Sequence, residues 1–238
     1  MKILHLADLH MNSNWLGWVT EEATRFDLVV LAGDLLDAFA NRSMVDLANA
    51  VSKWLIRVDC PVVLCSGNHD YWVKSPHVKG DDPNAEAAWL TRLKGQGKII
   101  GVDGDIISFR PKHSDEAPTK IVVNGWLQTP ELDDDVDIVV THAPPAGCYC
   151  SVGSEGYDVG DPDLWPSLQH HPPKLVLSGH VHQPYKFVCP WPQVEPRSLI
   201  MVPGVSNRND IPSHWIIDTT LGRAAHNSGI TVSFHWDS

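Results

Sequence analysis

The sequence predicts a mixed α/β fold: a four-layer αββα sandwich in which two mixed β-sheets pack face to face, with helices outside. Three observations carry that expectation. Short runs rich in Val, Ile and Leu, at residues 3–6, 28–31, 62–64, 138–140 and 175–177, show no period-2 alternation. Continuous apolar runs of this length suit central strands buried on both faces. Between the second and third runs, Met44, Leu47, Ala48, Val51, Trp54, Leu55 and Val58 recur at three- and four-residue steps, which places them on one helical face. The rest of the chain is richer in strand signals, at 106–109, 121–126, 185–188, 199–202, 214–217 and 230–235.

Taken in order, the first half alternates strand and helix signals, the pattern of βαβ units. Ser43 is placed to cap the first helix, with Asp46 in its first turn. A second helix is expected over 84–94, capped by Asn84, with Trp89, Leu90 and Leu93 inward and Gly95 at its end. The Pro-rich stretches around Pro144-Pro145, Pro172-Pro173 and 190–196 read as loops. There is no internal repeat, low-complexity tract or Gly/Ser linker, so one domain over 1–238 is expected.

The chain has 238 residues, with 18 Lys+Arg against 29 Asp+Glu and a formal net charge of −11. That balance disfavours sequence-independent nucleic-acid binding, which depends on cations neutralising phosphates. It also disfavours an anionic membrane surface. No apolar run approaches the roughly 20 residues that span a bilayer. The first ten residues carry charge and no small-residue cleavage site, so they do not read as a secretory signal. Cys60, Cys65, Cys148, Cys150 and Cys189 are an odd, sparse set and read as reduced thiols, which suits a cytoplasmic protein. The 13 His are the informative excess.

Each apolar run ends beside potential metal ligands. The first leads into Asp8-Leu9-His10, the second into Gly33-Asp34, and the third into Gly67-Asn68-His69-Asp70. The fourth leads into His142 and the fifth into Gly179-His180-Val181-His182. Functional groups in α/β sheets gather just beyond the carboxyl ends of the strands, so these residues are expected on one rim. Desolvated Asp and His need opposite charge or a metal. Mixed N and O ligands without Cys suit Mn²⁺, Fe²⁺, Zn²⁺, Co²⁺ or Ni²⁺. So many ligands exceed one tetrahedral ion. Two ions sharing a carboxylate, about 3.5–4 Å apart, fit better. A lone Asp or His after a strand is usually a turn residue or cap; five such endings in one chain are not.

The ordered set Asp8-x-His10, Gly33-Asp34, Gly67-Asn68-His69-Asp70, His142 and Gly179-His180-x-His182 resembles the calcineurin-like metallophosphoesterase superfamily. The resemblance implies a β-sandwich flanked by helices and two divalent ions, manganese first, with iron, zinc, cobalt or nickel as alternatives. It implies that Asp8, His10, Asp34 and His182 hold one ion. Asp34, Asn68, His142 and His180 would hold the other, with Asp34 bridging. It implies that a metal-bridging hydroxide attacks phosphorus. His69 faces the substrate as general acid or transition-state stabiliser, and Asp70 orients its ring.

Departures narrow the branch. The Asp-Arg-Gly of protein Ser/Thr phosphatases is replaced by Asp34-Leu35-Leu36, and Asp37 stands where purple acid phosphatases place a Tyr ligand. The stretch Thr141-His142-Ala143-Pro144-Pro145 with Asp158-Val159-Gly160 is similar to the small stand-alone microbial phosphoesterases. A small phosphodiester or nucleotide is the preferred substrate, because His69 suits a poor alkoxide leaving group. A phosphomonoesterase, a nuclease and a non-catalytic scaffold on the same fold are the alternatives. Trp15 and Trp72, after the first and third motifs, are candidates to stack a nucleobase, with ordinary loop packing as the competing role.

Overall fold

The computed structural model describes residues 1–70, 88–112, 115–183, 188–191, 198–206 and 208–236. One sheet is built from β1 (Lys2–Leu6), β2 (Leu28–Ala32), β3 (Val62–Cys65), β4 (Ile99–Gly101), β11 (Trp215–Asp218), β12 (Arg223–His226) and β13 (Thr231–Ser233). Its seven strands lie in the order β13-β12-β11-β1-β2-β3-β4. The other is built from β5 (Ile106–Phe109), β6 (Thr119–Asn124), β7 (Ile138–Thr141), β8 (Leu175–Leu177), β9 (Val188–Trp191) and β10 (Ser198–Met201). Its six strands lie in the order β5-β6-β7-β8-β10-β9. β1, β2, β3 and β4 run parallel, as do β6, β7, β8 and β10, and antiparallel strands form the other three edges.

Each continuous apolar run divides between two layers, as a strand buried on both faces must. Ile3, Val30, Ala32, Val63 and Cys65 meet Ile121, Val123, Ile138, Val140 and Leu175 between the sheets. Their alternates Leu4, Leu6, Val29, Leu31, Val62 and Leu64 face the other way. There they meet Trp15 and Val19 of α1 (Ser13–Glu22) and Leu47, Val51, Trp54 and Leu55 of α2 (Met44–Leu55). On the far side of the second sheet, Val122, Val139, Val176 and Ile200 pack against Leu164 and Leu168 of α4 (Leu164–His170). The result is helix, sheet, sheet, helix.

The expected helix after Ser43 is present, although Ser43 makes no side-chain cap bond. Of the helix expected over 84–94, 84–87 lie outside the described residues, and α3 covers Ala88–Thr91. Residues 185–187 of an expected strand also lie outside the described residues. Pairing begins at Val188. Four elements had no expectation attached: α1, α4, β4 and β12.

Candidate metal centre

Parallel β1, β2 and β3 in one sheet and β7 and β8 in the other all deliver their carboxyl ends to one rim. Neighbouring loops there are stitched together by backbone. Asp8 N–H donates to Gly33 O at 3.0 Å and His10 N–H to Asp34 O at 3.0 Å, while Gly179 N–H reaches His142 O at 2.8 Å. Gly33 has φ 81°, and a Cβ on it would lie 2.5 Å from His142 Nδ1. A Cβ on Gly67 would overlap the Asp34 carboxylate. Those glycines let one loop's backbone touch another loop's ligand. Asp8, His10, Asp34 and His180 themselves have φ of 55, 41, 53 and 65°. Left-handed backbone costs an L-residue about 1–2 kcal/mol. Strain concentrated this way marks a functional site rather than a packing accident.

The donor atoms form three overlapping groups: Asp8, His10 and His182; His10, Asp34 and His69; and Asp34, His142 and His180. Within each, the ligand atoms lie within 4.8 Å of one another. His142 Nε2 stands 3.3 Å from Asp34 Oδ2 and 3.1 Å from Asn68 Oδ1. His182 Nε2 is 3.2 Å from Asp8 Oδ1. Burial alone would lower the His142 pKa, but Asp34 beside it outweighs this and raises it to about 9. Burial likewise works to raise Asp34, yet His142 and His69 hold it below the usual carboxylate range. Burial, with His142 alongside, lowers His180 to about 4. The cluster therefore draws positive charge to its centre while keeping His180 neutral.

Hydrogen bonds on the far ring nitrogen fix which nitrogen His10 and His142 offer. His142 Nδ1 sits 2.8 Å from Ala32 O and His10 Nδ1 3.2 Å from Leu36 O. A carbonyl only accepts, so Nδ1 carries a proton in both rings, which leaves Nε2 as the nitrogen that could meet a metal, in His142 on loss of the proton it shares with Asp34. His10 Nε2 is buried and has no hydrogen-bond partner among the described residues. A buried acceptor without a partner, beside acceptor-only carboxylates, fits a cation. His69 is the opposite case. Its Nδ1 accepts from Ala38 N–H at 3.2 Å, so the neutral ring carries its proton on Nε2, 3.9 Å from Asp34 Oδ2. Although His69 lies among one group of candidate ligands, its Nε2 is a donor.

Two expectations need correction. Asp70 does not orient the His69 ring. It is fully buried and accepts from Leu35 N–H, Leu36 N–H at 2.9 Å and Gly67 N–H at 3.0 Å, which ties the loop after β3 to the loop after β2. Burial and the nearby Asp34 charge push its carboxyl up to about 7. Trp15 is 2% exposed in the core of α1, and its indole N–H donates to Asn209 O at 3.0 Å, so no ring face is free for a base. Trp72 lies outside the described residues. Sequence reasoning missed Trp126, whose ring lies 5.7 Å from His142's and 5.4 Å from His180's. It also missed Phe39, edge-on to His69 at 5.1 Å. Trp126 had a signal: like Asp34, Asn68 and His180, it follows a glycine at the end of a strand.

A profile of calcineurin-like phosphoesterases matches residues 1–184, which takes in every strand end described above. The chain belongs to that family. It is 27% identical over 160 residues to a probable cyclic nucleotide phosphodiesterase of a Synechococcus strain, a match covering 67% of this chain and 59% of that relative. The chain therefore spans less than two thirds of the relative's length. Among solved structures, TT1561 of Thermus thermophilus superposes with a TM-score of 0.56 at 14% identity, covering 99% of both chains. A purple acid phosphatase from yellow lupin superposes with a TM-score of 0.54 at 13% identity, over 99% of this chain and 53% of that one. At such identities these likenesses concern the fold. Members of this phosphoesterase family generally bind two divalent ions.

Proposed function

We propose that this phosphoesterase hydrolyses a small phosphodiester or nucleotide at a pair of divalent ions. Asp8, His10, Asp34 and His182 would hold one, and Asp34, Asn68, His142 and His180 the other. The observation that carries this reading is the buried Nε2 of His10, which has no hydrogen-bond partner among the described residues and faces a rim of acceptors. Two of the three ligand groups share Asp34, which supports a bridging role. When bound, such ions supply Lewis-acid charge and lower the pKa of water toward about 7, giving a hydroxide nucleophile at neutral pH.

The chain's own residues do the rest. The Nδ1 bonds of His10 and His142 hold their rings in the ligating orientation, and Asp70 locks the backbone that carries Asp34 and Asn68. His69 presents Nε2–H toward the substrate, where it donates to an ester oxygen as negative charge develops. The name of the Synechococcus relative favours a diester over a monoester. The acidic balance disfavours a nuclease. The reading is tested on chelator-treated protein with Mn²⁺ added back and a panel of aryl monoester, aryl diester, 2′,3′- and 3′,5′-cyclic nucleotides and single-stranded DNA. Diester turnover restored by metal is expected. Asp34→Asn should lower bound metal and rate together, and a fully metallated, active Asp34→Asn protein would overturn the bridging assignment.

A further inference from the structure

Beside the centre opens a concave space whose outer wall none of the roles above uses. It encloses about 290 Å³ between Ser154, Glu155, Tyr157 and Val159 on one side and His180 and His182 on the other. Small-molecule sites begin near about 300 Å³. The outer wall is braced. Gly153 N–H donates to Tyr157 O at 2.8 Å, Gly156 N–H to Gly153 O at 3.1 Å, and Val159 N–H to Ser151 O at 2.9 Å. The Asp158 carboxylate takes the N–H groups of Gly147 and Gly160. Yet Tyr157 on this fastened backbone remains 71% exposed. Its backbone is held in place while its ring stays unpacked and open to a ligand, which suits a contact platform. Glu155 lines the same space and, among the described residues, makes no ion pair.

A second aromatic stands at the other end of the site. Phe39, 88% exposed, touches His69 edge-on. The His10 ring lies 4.7 Å from that of His69 and 5.5 Å from that of His182. The row Phe39, His69, His10, His182 therefore ends at the Tyr157 pocket. A phosphate monoester carries one organic group, whereas a diester carries two. With His69 marking the side of the departing oxygen, the pocket faces the group that stays on phosphorus.

Resting on the phosphoesterase reading above, we propose that this pocket is the subsite for the retained ester group of a phosphodiester. Tyr157 holds a planar group by stacking, and Glu155 rejects anionic ones through like-charge repulsion.

The test uses diesters that share a p-nitrophenolate leaving group and carry methyl, phenyl or 4-carboxyphenyl as the retained group, assayed with the Mn²⁺-loaded full chain. The phenyl ester should exceed the methyl ester in kcat/KM. Tyr157→Ala should reduce that preference by about 5- to 100-fold, the span a stacking platform supplies on truncation. Tyr157→Phe, which keeps the ring, should retain it. The carboxyphenyl ester should be turned over poorly, and Glu155→Gln should narrow its gap from the phenyl ester. Equal turnover of methyl and phenyl esters, or an unchanged preference in Tyr157→Ala, would overturn the subsite. Turnover of p-nitrophenyl phosphate with none of any diester would instead remove the diester reading on which it rests.

Discussion

His10 and His142 donate from Nδ1 to backbone carbonyls, whereas His69 accepts at Nδ1 from Ala38 N–H. That contrast separates His10 and His142, proposed as ligands, from His69, proposed to face the substrate. It also sharpens the role of His69. To act as a cationic acid the ring would need a second N–H at Nδ1, pointed against the Ala38 N–H. Burial, together with His10 and His142, holds its pKa below the ordinary value despite the pull of Asp34. His69 is therefore expected to work as a neutral donor. His69→Ala should keep its bound metal and lose about 10²- to 10³-fold in kcat, the range for removing one preorganised donor. As a donor to the departing oxygen it should matter more for poor leaving groups, on which more negative charge develops, than for activated aryl esters. An equal loss for both would place His69 away from the departing oxygen. The identity of these residues was legible in the sequence, because each follows a strand. Their tautomers were not, since Ala32, Leu36 and Ala38 become partners only when other loops arrive. The partners of Asp70 were hidden for the same reason.

At the level of elements, legibility followed the width of the apolar stripe. α2 buries Leu47, Ala48, Val51, Trp54 and Leu55 and announces itself by its spacing. α1 buries only Trp15 and Val19 and contains Gly17, so its periodicity is thin. Its Asn12 cap, which accepts from Asn14 N–H and Trp15 N–H, was the available signal. β12, Arg-Ala-Ala-His, has little strand propensity and is a strand because β11 and β13 pair with both its edges. The junctions after the strands depend on glycine more than on any strand residue. Gly33→Ala would put a Cβ against the His142 ring at a positive φ and disturb the Nδ1 bond to Ala32. We expect it to destabilise the chain by about 2 kcal/mol or more and to lower metal content. The urea midpoint and metal per chain check this, and parent-like values for both would show that the close approach is dispensable.

For the whole molecule, the parallel strands place the candidate centre at one rim and a set of lysine-paired acids at the other. Asp27 and Asp137 precede β2 and β7, so acids gather at the end away from the centre. Lys120 pairs there with Asp133 and Asp135, and Lys174 with Asp137. The charge of −11 is thus compatible with a phosphate substrate at the other rim while still disfavouring an extended polyanion. Among the described residues no helix is long and apolar enough to cross a membrane. The two sheets are also joined by a titratable group. His5 of β1 is fully buried and donates from Nε2 to Met201 O of β10 at 3.2 Å. Burial lowers its pKa to about 4, against the Met201 bond that works to raise it. A folded state that binds a proton less readily than the unfolded chain loses stability as pH falls. This contribution is complete above the unfolded value near 6.5 and disappears as pH drops toward 4. Between pH 7 and pH 4.5 the loss from this residue should be about 2–3 kcal/mol. His5→Gln retains a donor for Met201 O and cannot titrate. Denaturant unfolding of both proteins at the two pH values should therefore show a steeper acid loss in the parent. Parallel losses would mean that His5 becomes protonated without opening the interface between the sheets.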